Sequence, residues 1–378
     1  MTQRLCIVTP VHWKAFMGGA QYQIRCLLDH LRTLQHYDIH YLAHRVPDDR
    51  ELDGYTIHRI GDGRSVSRFG YVTDAPDLYH NLRKLRPDVI YQRIGCAYTG
   101  IAAHFARRNR CGLVWHTSSN VDVQRRMKVA DKHFIRRHLE SGLLSYGIRR
   151  AHRIVTQTDH QAHLLTQNFG RQPDAVIANF HPAPTEVIDK SALPRILWVA
   201  NLKRLKQPDV FLRLAHTLRD IDGARFVMIG AGAIRMGESP WHASLMRAIA
   251  AAPNVDYLGQ LSQEDVNAEL AKAHVFVNTS LYEGFANTFI QAWARGAPTV
   301  SLNVNPDGIF GSDAIGFHAG TEERLAEIVR RLITDPPLRE AVARRAKAYA
   351  MEFHSMRNAH RLEEIIRGAA NMNFGHQV

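Results

Sequence analysis

Short apolar runs alternate with segments of helical spacing along almost the whole chain. Leu5-Cys6-Ile7-Val8 is the first run. After a loop, Ile24, Leu27, Leu28 and Leu31 recur at intervals of three and four, which makes one face of a helix. The same reading predicts strands at 39–43, 89–92, 113–116, 154–157 and 175–177. A second series starts afresh at Ile196-Leu197-Trp198-Val199-Ala200 and continues at 225–229, 255–258, 275–278 and 299–302. Repeated βα alternation of this kind predicts parallel, doubly wound sheets. Two such series predict an α/β chain of two facing Rossmann-like domains with a cleft between them. The boundary is expected in 181–194, where Pro182, Pro184 and Pro194 frame a polar stretch. The expected division is 1–183, 184–352, and a terminal helix with its tail, 353–378, packing back toward the first domain. The last helical segment reads as one long helix over 338–368, followed by a polar tail, 371–378, that frays.

Composition narrows the class. A chain of 378 residues with 45% hydrophobic and 22% charged residues is that of a soluble globular protein large enough for two cores. Cys6, Cys26, Cys96 and Cys111 lack metal-ligand spacing and read as buried thiols of a reducing compartment. The N-terminus enters a strand directly, leaving no room for a signal peptide, and the apolar stretch 94–106 is too short to span a bilayer. The expected location is the cytoplasm, with peripheral contact at the inner face of the cell membrane. A formal net charge of +12 calls for an anionic partner. Arg125 to Arg153 carries nine Lys/Arg against Asp131 and Glu140, with apolar residues interspersed. It reads either as a solvated helix face or as a surface for anionic lipid. Nucleic acid is not an expected partner, because the basic residues lack aromatic interleaving and no nucleic-acid motif is present.

The most informative segment runs from Tyr282 to Trp293. Glu283-Gly284 reads as loop, Asn287 as an N-cap, and the residues after it as a short apolar helix ending at Gly296 before Pro298. A helix N-terminus favours a diphosphate, whereas a glutamate beside it suits the neutral, hydroxyl-rich part of the same ligand. The pair points to a sugar nucleotide. Asn201-Leu202-Lys203-Arg204-Leu205-Lys206-Gln207-Pro208 follows a strand and puts three cations where open α/β sheets bind ligands. Gly18-Gly19-Ala20, between the first strand and first helix, lets phosphate approach the backbone. No G-x-G-x-x-G accompanies it. Gly230-Ala231-Gly232 reads as a structural turn. His116 closes a strand, on the edge that faces the cleft.

These pieces resemble glycosyltransferase family 4, retaining enzymes of the GT-B fold, over nearly the whole chain. Gly18-Gly19 matches the family's phosphate loop, His116 the histidine near the donor sugar, and Lys206 the lysine on the donor pyrophosphate. Thr156-Gln157-Thr158, Gln161 and Asn179 match the stretch before the interdomain linker. Asn201 stands where the family often has an arginine, so Arg204 or Lys203 supplies the second charge. Glu283 matches the first acid of the E-x7-E motif, and Gln291 replaces the second, the ribose ligand. The resemblance implies an acceptor-side first domain, a nucleotide-sugar-binding second domain, and domain closure on donor binding. It further implies that Glu283, His116, Lys206 and Arg204 act on the reacting groups. Gly18, Gly19, Lys203, Phe285, Ala286, Asn287, Thr288 and Gln291 would bind donor. The reaction would move a hexose from a nucleoside diphosphate sugar to a saccharide or lipid-linked acceptor in cell-surface polysaccharide or lipopolysaccharide synthesis. Neither metal nor cofactor is implied. Three rivals stand beside this reading: an inverting enzyme with His12 as base, a sugar-nucleotide epimerase, and a non-catalytic carbohydrate- or membrane-binding protein.

Overall fold

A computed structural model describes residues 2–48, 51–52, 54–63, 70–124, 134–188, 190, 193–231, 240–311 and 314–372. The chain divides into two compact units, residues 1–180 with 356–378, and residues 181–355.

In the first unit the strands are β1 (Gln3–Val11), β2 (Tyr37–Arg45), β3 (Glu51–Leu52), β4 (Tyr55–Arg59), β5 (Val89–Arg93), β6 (Gly112–His116), β7 (Arg153–Thr156) and β8 (Ala175–Val176). Helices α1 (Gly19–Leu34), α2 (Ala75–Leu85), α3 (Ala97–Arg108), α4 (Phe134–Arg150) and α5 (Asp159–Phe169) connect them. The sheet order is β3-β4-β2-β1-β5-β6-β7-β8, parallel throughout except for the β3–β4 pair. Successive β1 residues feed opposite layers. Leu5 and Ile7 join α1 on one face, and Cys6 and Val8 join the α2–α5 side on the other.

The second unit repeats the plan with β9 (Arg195–Val199), α6 (Pro208–Thr217), β10 (Arg225–Ile229), α7 (Pro240–Ala250), β11 (Val255–Tyr257), α8 (Gln263–Lys272), β12 (Val275–Asn278), α9 (Asn287–Ala294), β13 (Thr299–Ser301), β14 (Gly316–His318), α10 (Glu322–Thr334) and α11 (Pro336–Phe353). Its sheet, β11-β10-β9-β12-β13-β14, is wholly parallel. Ile196 and Trp198 pack with α6, α7 and α10, whereas Leu197 packs with α8 and α9. A last helix, α12 (Arg357–Ala370), belongs to the first unit and lies on its sheet through Ala359, Leu362, Ile366 and Ala369. The doubly wound α/β architecture is the one expected from the sequence.

Local expectations change in three places. The stretch 45–64, for which the apolar pattern predicts no strand, contains β3 and β4. β4 alternates buried and open positions against β2, a two-residue period too short to stand out in the sequence. The helix read over 338–368 is two helices. It breaks because the His354 carbonyl accepts from the His181 N–H (2.8 Å) while its ring packs on Phe285 (4.7 Å) and Tyr349 (5.5 Å). The N-cap of α9 is Ala286, and Asn287 is its first helical residue. Residues 125–133 of the basic segment, Gly232 and the tail 373–378 lie outside the described residues. The four cysteines are buried and free. Among the described residues no helix is long and apolar enough to cross a membrane.

Gly230 holds the end of β10 against the loop after β9. Its φ is +152°, and a Cβ built there would lie 1.8 Å from the Ala200 carbonyl oxygen. Gly230→Ala is expected to cost at least roughly 2 kcal/mol, from backbone strain plus the shift forced on Ala200. The loss would show as a lower denaturant midpoint at unchanged slope. A change below about 0.5 kcal/mol, the range of a neutral surface substitution, would mean that the loop yields freely.

Candidate functional site

In an open parallel sheet, ligands meet the carboxyl ends of the strands where the winding reverses. In the second unit the chain runs outward from β9 to β10 and β11, then returns to place β12 on the other side of β9. The reversal therefore lies between β9 and β12, and the loops leaving these two strands carry the candidate residues. After β9, Leu202 N–H bonds the Ala231 carbonyl (3.0 Å), and Arg204–Lys206 close a single 3-10 turn. Gln207 ends that turn at a left-handed φ of 46°, and Pro208 opens α6.

The two loops are fastened together. Thr279, just past β12, accepts from Trp198 Nε1 (2.9 Å) and donates to the Lys206 carbonyl (2.6 Å). Leu281 N–H bonds the Leu205 carbonyl (2.9 Å), and Asn303 Nδ2 reaches both Gln207 Oε1 (3.1 Å) and the Ser280 carbonyl (3.2 Å). With both backbones fixed, Lys206 Nζ lies 2.8 Å from Glu283 Oε1. Ser280 Oγ (2.5 Å) and Asn278 Nδ2 (3.1 Å) donate to the same oxygen. Oε1 is thus filled by three donors, whereas Oε2 takes no hydrogen bond among the described residues. The side chains of Lys206 and Glu283 are 20% and 17% exposed, so the pair is shielded yet reachable.

The rest of the expected site in this unit divides. Phe285 anchors the Glu283 loop by packing on Phe289 (6.2 Å), Trp293 (6.1 Å) and His354 (4.7 Å). Ala286, Asn287 and Thr288 then form the N-terminal end of α9, the positive end of its dipole. Arg204 stacks over Trp241 at 5.1 Å, and Lys203 is exposed, so of the three loop cations Lys206 alone meets Glu283. Gln291 is buried, and its amide nitrogen donates to Asn267 Oδ1 (2.8 Å) and Gln263 Oε1 (3.1 Å) on α8. Both amide hydrogens are then in use, which leaves this residue only an acceptor oxygen. The roles of Ser280, Asn278 and Thr279 were not anticipated. Ser280 stands three residues before the acid and Asn278 five, on the strand end itself, and single polar residues at such a junction give no periodic signal.

In the first unit the order reverses between β1 and β5. Gly18 caps α1 in an extended conformation, and a Cβ there would press on Gln21 Oε1 (2.8 Å) and the Phe16 ring (3.1 Å). Gly19 is the first helical residue. His116 ends β6 in register with Arg93 on β5 and Val155 on β7. Its Nδ1 shares a hydrogen with the Tyr91 hydroxyl (2.9 Å), and its buried Nε2 has no partner among the described residues. Burial, aided by the Arg93 charge, holds its pKa well below the ordinary histidine value. Sequence reasoning missed Arg93. This guanidinium is 1% exposed and bonds Asn179 Oδ1 (2.9 Å), while its Nε and Nη1 lack partners among the described residues. An arginine closing the otherwise uncharged run Val89-Ile90-Tyr91-Gln92 was the available signal.

Gln157 and Gln161 brace the first sheet. Thr117 Oγ1 (2.5 Å) and the Gln157 N–H (3.0 Å) both donate to Gln161 Oε1, and Gln157 Nε2 donates to the Thr117 carbonyl (2.6 Å). His12 is fully buried. Its Nδ1 accepts the Lys14 N–H (3.1 Å), so Nε2 carries the proton and donates to the Tyr55 hydroxyl (3.1 Å). Burial and then the Lys14 charge push its pKa down to about 4. Among the described residues no group of three or more His, Cys, Asp and Glu is placed to hold a metal ion.

Residues 193–335 match the family described as Glycosyl transferases group 1. A D-inositol 3-phosphate glycosyltransferase of Nocardiopsis dassonvillei is 25% identical over 58% of this chain and 56% of its own. A lipopolysaccharide core biosynthesis glycosyltransferase, LpsE, of Rhizobium meliloti is 30% identical over 22% of this chain and 25% of its own. This chain thus spans about half the length, or less, of the curated relatives it matches. Among solved structures, Anabaena HepE in complex with UDP and glucose superposes with a TM-score of 0.75 at 15% identity, covering 97% of this chain and 100% of that one. The likeness to the group 1 glycosyl transferases is thus confined to residues 193–335 of the second unit, whereas the likeness in fold, that of GT-B glycosyltransferases, runs over nearly the whole chain.

Proposed function

We propose that this protein transfers a hexose from a nucleoside diphosphate sugar, with retention of anomeric configuration, to a saccharide or lipid-linked acceptor. The observation that carries the reading is the Lys206–Glu283 pair at the point where the second sheet reverses its winding. Lys206, with Arg204 and Lys203 on the same turn and the N-terminal end of α9 nearby, supplies positive potential for a diphosphate. Stabilising that diphosphate as it departs is electrostatic catalysis of bond breaking. Glu283 Oε2, which takes no hydrogen bond among the described residues, would accept from a sugar hydroxyl, and Gln291 would meet the ribose through its remaining amide oxygen. His116, neutral and with Nε2 unpartnered, offers a hydrogen-bonding group to a hydroxyl-bearing ligand on the first unit. UDP is the first nucleotide to try, since HepE binds it. The D-inositol 3-phosphate in one relative's name supports a hydroxyl-rich acceptor, and the lipopolysaccharide core biosynthesis in another's supports a role in cell-surface polysaccharide or lipopolysaccharide synthesis. On α4, Ile135 (61% exposed) and Leu139 (40% exposed) stand one turn apart beside Arg136 and Arg137, which supports peripheral contact with anionic lipid.

Saturating UDP or UDP-glucose should raise the melting temperature of the wild type by several degrees, the consequence of about 2.7 kcal/mol of linkage at a hundredfold excess over Kd. Lys206→Ala should weaken that binding about tenfold or more, as expected for removal of a charge-assisted contact. Silence toward UDP, GDP and their hexose conjugates would overturn the reading and favour a non-catalytic protein. Binding together with donor turnover in the absence of acceptor would favour an epimerase.

Retention over inversion is supported by His12, whose two ring nitrogens are both engaged and which is short of basicity for proton abstraction. Its folded pKa, about 4, lies below the unfolded value of roughly 6.5. The unfolded chain therefore takes up the proton first, and this group removes stability as pH falls from about 6.5 toward 4. The loss is at most about 1.4 kcal/mol per pH unit. His12→Asn should keep transfer activity within a few-fold and flatten the acid side of the stability profile by about one proton. A folded His12→Asn enzyme with activity down more than a hundredfold would point instead to inversion.

A further inference from the structure

Lys206 and Glu283 are counter-ions, with Nζ 2.8 Å from Oε1. The proposed glycosyl transfer assigns them different parts of one ligand, the ammonium to the diphosphate and the carboxylate to the sugar hydroxyls. A diphosphate that draws on Lys206 therefore competes with Glu283 for the same positive charge. We propose that this ion pair is an exchange contact that couples the two halves of the donor. The diphosphate takes Lys206 away from Glu283, and sugar hydroxyls donating to Glu283 Oε2 replace the cation it gave up. The inference rests on the donor reading above and adds to it a reason why intact donor and nucleoside diphosphate product bind differently.

The surrounding geometry fits an exchange. Lys206 is held by its backbone: its N–H bonds the Lys203 carbonyl (2.8 Å) and its carbonyl accepts from Thr279 (2.6 Å). Only the flexible four-carbon stem has to swing. Glu283 does not follow, because Ser280 Oγ (2.5 Å) and Asn278 Nδ2 (3.1 Å) keep hold of Oε1. Those two donors are neutral and leave the carboxylate charged, so Oε2 remains a strong acceptor for hydroxyl hydrogens. Ser280 and Asn278 are accordingly positioning residues for Glu283. Both members of the pair are about four-fifths buried, so a carboxylate deprived of its cation is only partly compensated by water. With the sugar in place, its hydroxyls supply the compensation. After transfer the nucleoside diphosphate still holds Lys206 but brings no hydroxyl to Glu283. Re-forming the ion pair then favours release of the product.

The test is calorimetric titration of UDP, UDP-glucose, GDP and GDP-mannose into wild type, Glu283→Gln, Lys206→Gln and the double variant. The nucleotide that binds wild type is carried through the set. Glu283→Gln should bind the bare diphosphate roughly two- to fivefold tighter, the range set by a partly exposed ion pair. It should bind the sugar conjugate more weakly, so the preference for intact donor shrinks. The gain toward the diphosphate should be larger with Lys206 present than in the Lys206→Gln background, which is the signature of coupling. An equal gain in both backgrounds would reduce the effect to simple repulsion and overturn the exchange, as would unchanged or weaker diphosphate binding in folded Glu283→Gln. Glu283→Asp, which keeps the charge but withdraws it by one methylene, takes its place if the glutamine variant fails to fold, with the same expected tightening. Absence of binding to wild type would sink the functional reading itself, whereas wild-type binding without the predicted shift would sink this inference alone.

Discussion

A strand that is buried on both faces has nowhere to put a polar side chain except at its ends. That constraint governs both sheets of this protein. β9 and β12 present almost only apolar side chains to the helices on either side, and their polar residues stand at the ends, Arg195 at the amino end of β9 and Asn278 at the carboxyl end of β12. The winding reverses between these two strands, so two loops that are far apart in sequence leave the sheet side by side. The meeting of Lys206 with Glu283 follows from that reversal, and a sheet wound in one direction would have carried the two loops apart.

Fastening turns this neighbourhood into a site. The Thr279 hydroxyl is held by the Trp198 indole and holds the Lys206 carbonyl, so a core tryptophan sets the height of the cationic loop above the sheet. Asn278 and Ser280 fix the carboxylate from the strand side. Behind them, Phe285, Phe289, Trp293, Phe310 and Tyr349 form an aromatic layer against which the acidic loop and α9 are pressed. Such packing fixes side chains in single positions, because a buried aromatic ring has few rotamers that avoid its neighbours. The same layer reaches His354, where α11 ends, and at the other end of α9 Arg295 holds Glu186 of the 181–194 segment (2.8 Å to each carboxylate oxygen). The candidate donor loop is therefore packed onto the stretches of chain that enter and leave the second unit.

The first unit solves the same constraint differently. Its strand ends carry a buried arginine, held by Asn179, and a neutral histidine in register, with a glutamine brace one strand further on. Burying Arg93 with no carboxylate partner among the described residues is costly, and its charge adds to the burial that keeps His116 uncharged.

Much of this was legible in the chain itself. The alternation of apolar runs with helical spacing fixed the class of fold, because strand and helix periods differ and βα repeats admit few arrangements. The three cations after one strand and the acid-glycine pair after another marked both loops as chemical, since loops at strand ends are where polar side chains are admitted. What the sequence left open were the pairings. Nothing local says that Lys206 and not Arg204 meets Glu283, that Gln291 spends its amide hydrogens on α8, or that Arg93 is buried beside His116. Nor does it say that a strand lies at Tyr55–Arg59, or that the last helix breaks at His354. Each of these depends on which residues are neighbours in space, and that is decided by strand order and packing once the whole chain has closed. Local composition determines what kind of element forms and which groups it must leave at its ends; only the tertiary structure decides which of those groups share a charge.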